Sequence, residues 1–104
     1  MSVEKNLEAR LRKFVHRMGG YCVKLLPWAE TGLPDRMLIL PGGYIIFVEL
    51  KSLKALASLR KKGKLTKQGI WRNRLLQCGH EHWVVYDEKT YLCLEKRIAE
   101  LILF

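Results

Sequence analysis

The stretch from Gly32 to Lys51, GLPDRMLILPGGYIIFVELK, constrains the fold more than any other part of this 104-residue chain. Two runs rich in branched and aromatic residues, Arg36 to Leu40 and Tyr44 to Leu50, flank Pro41-Gly42-Gly43. That pattern predicts two strands joined by a three-residue hairpin loop in which glycine takes positive φ. In this register Leu40 pairs with Tyr44, Ile39 with Ile45, Met37 with Phe47, and Asp35 with Glu49. The two carboxylates then face each other on one side of the sheet, and Lys51 shares that side.

Opposed carboxylates about 5 Å apart at Cβ repel and weaken a sheet unless a cation lies between them. The donors on offer are oxygens, and few, which suits Mg²⁺, with Mn²⁺ as a substitute, better than zinc. The Lys51 ammonium beside such an ion would orient or help deprotonate a water and offset negative charge on a phosphate. The plainer alternative is that Asp35 ends a turn after Pro34 while Glu49 and Lys51 are solvated. Against it, Ile45 and Phe47 share a face with Glu49, and Tyr44, Ile46, Val48 and Leu50 line the other. Both faces are therefore expected to be buried, and charges ending a buried strand need a reason.

These residues resemble the PD-(D/E)XK nuclease superfamily and, within it, the virus-type replication-repair nuclease (VRR-NUC) domain. Gly32-Leu33-Pro34-Asp35-Arg36 is similar to its G-x-P-D-R signature, Pro41-Gly42-Gly43 to its hairpin turn, and Glu49-Leu50-Lys51 to its E-x-K element. An early helix with Glu8, a Gly-Gly pair, a strand with Lys24 and a later helix opening on Gln68 also correspond, so the resemblance runs from about Glu8 to Tyr86. Between Lys51 and Gln68 the chain is longer and more basic than compact members. The resemblance implies an α/β (α+β) fold with a restriction-endonuclease-like αβββαβ core, a mixed sheet flanked by helices. It also implies metal held by Asp35, Glu49, the Leu50 carbonyl and Glu8, with Lys51 and Gln68 completing the catalytic set. Stand-alone members resemble homodimers that resolve four-way (Holliday) junctions, and a phage or prophage setting follows by the same resemblance.

Length alone points to one domain over residues 1–104, and a chain this short buries only about 60 to 65% of its unfolded surface, so a second subunit would help. The 19 Lys and Arg against 10 Asp and Glu leave a net charge of +9, the usual footprint of a nucleic-acid partner. There is no apolar run of about 18 residues, and Glu4 and Glu8 interrupt the start, so a soluble, intracellular protein is expected. Cys22, Cys78 and Cys93 are odd in number and set in apolar surroundings, and read as reduced core residues.

The remaining elements follow from periodicity and caps. Ser2 caps a helix with Val3, Leu7, Leu11, Phe14, Val15 and Met18 on its packed face, ended by Gly19-Gly20. Tyr21 to Leu26 is a strand and Pro27 to Pro34 a loop. Thr66 caps a helix through Ile70, Trp71, Leu75 and Leu76 that stops at Gly79. His82 to Tyr86 is a strand; Asp87-Glu88-Lys89 turns into a short strand, Tyr91 to Leu94, and Glu95 to Leu103 closes as a helix.

Glu8 can sit at the edge of the packed face and reach the metal, or pair with Arg12 one turn on, with Glu4 in reserve. Gln68 in a first helical turn can bind a phosphate or hold a water, or be a surface residue. Lys54, Arg60, Lys61, Lys62, Lys64 and Lys67, interleaved with Leu53, Leu56 and Leu59, form an acid-free run read as a DNA arm or as a solvated charge block. Arg72 and Arg74 extend it. His80 and His82 lack partners at zinc-ligand spacing and read as turn and strand residues. Trp28 either stacks on a base or folds onto the core. Three functions fit: a metal-dependent structure-selective endonuclease, a non-catalytic DNA-binding module, and a restriction-like or flap nuclease of the same superfamily.

Overall fold

The computed structural model describes residues 3–26, 30–52 and 66–104. The expected Ser2 cap, Trp28 and the basic positions Lys54, Arg60, Lys61, Lys62 and Lys64, with Leu53, Leu56 and Leu59, lie outside the described residues. The described elements are helix α1 (Val3–Arg17), strands β1 (Tyr21–Lys24), β2 (Arg36–Leu40) and β3 (Tyr44–Leu50), helix α2 (Lys67–Gln77), strand β4 (Glu81–Val85) and helix α3 (Glu88–Leu103). The sheet order is β1-β2-β3-β4, antiparallel twice and then parallel between β3 and β4. The α+β class and the mixed sheet expected from the sequence are both present.

The hairpin forms as its residues dictate. Leu40 pairs with Tyr44, Ile39 with Ile45 and Met37 with Phe47, while Gly42 and Gly43 adopt φ of 87° and 83°, values that cost other residues strain. One sheet face carries the core. Leu38, Leu40, Ile46, Val48, Leu50 and Val85 pack against Leu7, Leu11 and Val15 of α1 and Tyr91, Leu94 and Ile98 of α3. The i, i+4 spacing in α1 and the i, i+3, i+7 spacing in α3 produce these stripes.

The opposite face is covered only in part. α2 lies on this side, where Gln68 reaches Glu49 and Leu75 is buried, but Tyr21, Ile39 and Ile45, one cross-strand row, are exposed. The expectation that both faces are buried therefore fails away from the Glu49 end. Ile70 and Leu76 are exposed on α2.

Further corrections follow. Tyr91 to Leu94 is no strand but part of α3. Asp87 forms a capping box with Thr90, and Asp87 Oδ1 accepts from Thr90 N at 2.8 Å, so the helix starts at once after β4. Tyr91, Leu94 and Ile98 then recur at helical spacing across a segment whose local composition favours a strand. β1 stops at Lys24, and β4 runs one residue earlier than expected. Cys78 and Cys93 are exposed rather than in the core, and only Cys22 is half-buried, where burial pushes its thiol pKa up. Among the described residues no helix is long and apolar enough to cross a membrane.

Candidate active site

Asp35 and Glu49 meet where β2 begins and β3 ends, beside α2. Gly32 sets the approach of the preceding loop: its φ is 92°, and a Cβ there would lie 2.7 Å from the carbonyl carbon and oxygen of Lys67. Only glycine lets this loop touch the first turn of α2. Pro34 is buried behind it, and the Asp35 carbonyl accepts from Leu25 N at 3.0 Å. Asp35 Oδ2 accepts from Leu50 N at 2.7 Å, which fixes the first carboxylate against the backbone carrying the second.

Glu49 is 3% exposed. Burial, then the charge of Asp35 and a hydrogen bond with it, push the Glu49 carboxyl from 4.5 up to about 8, against the opposing pull of Lys51. A carboxyl pair that retains a proton near neutrality is a pair short of positive charge. The third member is Gln68, whose Nε2 donates to Glu49 Oε1 at 3.0 Å while its Oε1 accepts from Lys51 Nζ at 2.5 Å. Lys51 Nζ lies 3.9 Å from Glu49 Oε1. Thr66 places Gln68 by capping α2, its hydroxyl accepting from Gly69 N at 3.1 Å.

Two concavities flank this cluster. A cleft of about 530 Å³ is lined by Glu8, Lys24, Pro34, Asp35, Lys67 and Gln68, among others. A smaller pocket of about 150 Å³ lies against Glu49, Lys51, Gln68, Arg72 and His82. Among the described residues no three His, Cys, Asp or Glu side chains converge, so a cation here would take two carboxylates, main-chain oxygen and water. That all-oxygen, water-rich set fits Mg²⁺ or Mn²⁺ and does not fit zinc.

The whole arrangement is similar to a solved structure described as a VRR_NUC domain, with a TM-score of 0.62 and 27% identity over 86% of this chain and 95% of that one. The sequence is also 43% identical over 51 residues to "Putative nuclease p44" of Acyrthosiphon pisum secondary endosymbiont phage 1. The chain is therefore similar in fold and in sequence to a VRR-NUC domain. The match to the phage protein covers 49% of this chain and 50% of that protein's length. No family model matches the chain.

The structure brings Asp35, Glu49, Lys51 and Gln68 together, as the sequence suggests. Glu8 lines the same cleft, but its Oε1 accepts from Arg36 Nη2 at 2.8 Å, so its partner is Arg36 rather than Arg12. Glu4, the reserve, does not line the cleft. On α2 the basic positions diverge. Lys67 faces the cleft, Arg72 the smaller pocket, and Arg74 stacks on Trp71 with its guanidinium carbon 4.9 Å from the ring centre.

Two residues escaped sequence reasoning. Arg36 is 7% exposed, and besides Glu8 it donates from Nη1 to Cys22 O at 3.3 Å. His82 lies opposite Phe47 in the parallel ladder and therefore shares the Glu49 face of the sheet. Burial first and Arg72 second push the His82 pKa down to about 4, so its imidazole is neutral at physiological pH. Arg36 was visible inside the G-x-P-D-R stretch, where only a buried partner would have signalled it; His82 needed the β3–β4 register, which no turn between those strands reveals.

Proposed function

We propose that this chain is a nuclease, a Mg²⁺-dependent, structure-selective DNA endonuclease, with Mn²⁺ able to substitute. The observation that carries this reading is the close pairing of Asp35 with the buried Glu49, with Lys51 tied to it through Gln68. A pure DNA-binding module gains nothing from two acids opposed beside phosphates that they repel.

Asp35, Glu49 and the Leu50 carbonyl would hold the ion, helped by Glu8 in the same cleft. The bound ion supplies Lewis acidity toward the phosphate and makes water more acidic. Lys51 orients the attacking water and offsets the charge that builds on the phosphate. Gln68 fixes the Lys51 ammonium by accepting from it, and keeps the Glu49 carboxylate turned toward the site. Asp35, locked by Leu50 N, cannot swing away as the phosphate arrives. Lys67, Arg72 and Arg74, with the basic run Lys54, Arg60, Lys61, Lys62 and Lys64, supply sequence-independent affinity for the DNA backbone.

As to substrate, a homodimer of this domain, spanning residues 1–104, resolves four-way junctions, because a two-fold pair presents two sites to two symmetric strands. This part rests on the VRR-NUC resemblance and on small size. An intracellular setting goes with a DNA substrate. The test is a panel of labelled four-way junction, flap, fork and linear duplex, each with Mg²⁺, Mn²⁺, Ca²⁺ or EDTA, alongside light scattering for the dimer. Paired symmetric nicks in the junction support the proposal; equal cutting of linear duplex favours the restriction-like reading and removes the junction claim.

A further inference from the structure

The pocket behind Gln68 has chemistry of its own. It is lined by Glu49, Lys51, Thr66, Gln68, Gly69, Arg72, His82 and Val84, with a volume of about 150 Å³. That is room for a phosphate group. Arg72 and Lys51 bring positive charge to it. Among the described residues Arg72 forms no ion pair with a carboxylate, although other arginines around the molecule do: Arg10 pairs with Glu88, Arg36 with Glu8 and Arg97 with Glu81. The one acid in the wall, Glu49, already has its Oε1 accepting from Gln68 and 3.9 Å from Lys51 Nζ. Thr66 and Gly69 bring the first turn of α2 to the wall, whose peptide dipoles favour an anion.

The pocket and the large cleft share Thr66 and Gln68. Thr66 and Gln68 therefore stand between the cleft that holds Asp35 and a second anion-favouring hollow. A nucleic-acid strand crossing the site carries regularly spaced phosphates, and contacts to them set register without reading sequence. We propose that Arg72, with His82, forms a subsite for one backbone phosphate neighbouring the scissile one, and that this contact sets which phosphodiester is presented to Asp35 and Glu49. The inference deepens the nuclease reading and rests on it for the identity of the anion. Arg72 is the positioning group, its planar fork matching two phosphate oxygens; His82 forms the back wall.

The experiment has two arms, each on wild type and Arg72→Gln. In the first, inorganic phosphate is titrated while NMR follows the Arg72 Nε–H and His82 ring signals. Saturable shifts of both in wild type, with the His82 shift lost in Arg72→Gln, are expected; their absence overturns the subsite whether or not the protein cuts DNA. In the second, single methylphosphonates, which remove one backbone charge, are walked along a cleaved strand and binding is read in Ca²⁺. Wild type should lose about tenfold at one position beside the cut, and Arg72→Gln should lose a similar factor on ordinary DNA with no further loss at that position. Identical profiles for the two proteins overturn the proposal. Phosphate shifts without any cutting would leave the subsite standing and sink the nuclease reading alone.

Discussion

Gln68 Nε2 donates to Glu49 Oε1 at 3.0 Å, and the same amide accepts from Lys51 through its oxygen. One neutral side chain thus orients both a carboxyl group and an ammonium group. Gln68→Ala should lower the cleavage rate roughly 10–100-fold, the usual effect of removing a group that aims metal ligands, while binding in Ca²⁺ changes little. Gln68→Glu, which adds an acid to a site already short of positive charge, should lose at least as much. Single-turnover rates across a metal titration separate the two variants.

The raised Glu49 carboxyl makes stability depend on pH. Between 4.5 and about 8 the folded chain holds a proton at Glu49 that the unfolded chain has released, so the metal-free protein loses stability as pH rises through that window. His82 acts oppositely: its pKa falls from 6.5 to about 4, so folding releases its proton and stability rises from pH 4 to 6.5. Between 6.5 and 8 only the Glu49 effect remains. Thermal melts in EDTA should show Tm falling across that upper window in wild type and flat in Glu49→Gln, with Mg²⁺ raising the wild-type Tm most at pH 8.

Gly32 is predicted to be intolerant of any side chain. Its positive φ and the 2.7 Å approach to the Lys67 backbone mean that Gly32→Ala must push α2 outward. The cost is about 1–3 kcal/mol of stability, and because Gln68 rides on that first turn, the cleavage rate should fall further than the change in folded fraction explains. Denaturant titration beside activity measured well below the unfolding midpoint tests this.

Arg36 is buried and Glu8 faces it at 2.8 Å. Glu8→Ala leaves a guanidinium without its counter-charge and should cost about 2–3 kcal/mol, whereas Glu8→Gln keeps a hydrogen-bond acceptor and should cost less. If Glu8 also serves the metal, both variants raise the Mg²⁺ concentration needed for half-maximal cleavage. A variant destabilised but unchanged in that concentration assigns Glu8 to Arg36 alone.

The hairpin from Arg36 to Leu50 was legible because everything that fixes it is local. Two glycines force the turn, the turn fixes the register, and the register brings Asp35, the residue before β2, close to Glu49. Gln68 was legible as the opening of a Thr66-capped helix and as a family position, though not as the link between Glu49 and Lys51, which is a tertiary contact. Tyr91 to Leu94 misled because a Tyr-Leu-Cys-Leu run suits a strand, while the Asp87 capping box and the distant core decide for helix. Cys78 and Cys93 misled for a related reason: apolar neighbours in sequence did not mean apolar surroundings in space. His82 and Arg36 depended on which strand lies beside which, information that no short window holds.

The central claim, metal-dependent phosphodiester hydrolysis at Asp35, Glu49 and Lys51, is tested most directly by one paired assay. Wild type and Lys51→Ala are incubated with a labelled four-way junction and a linear duplex in Mg²⁺ or EDTA, with binding followed in Ca²⁺. Cutting by wild type in Mg²⁺ only, lost in Lys51→Ala while binding persists, is the expected result. Tight binding by both proteins with no cutting in any divalent metal would contradict the account and make the chain a DNA-binding module.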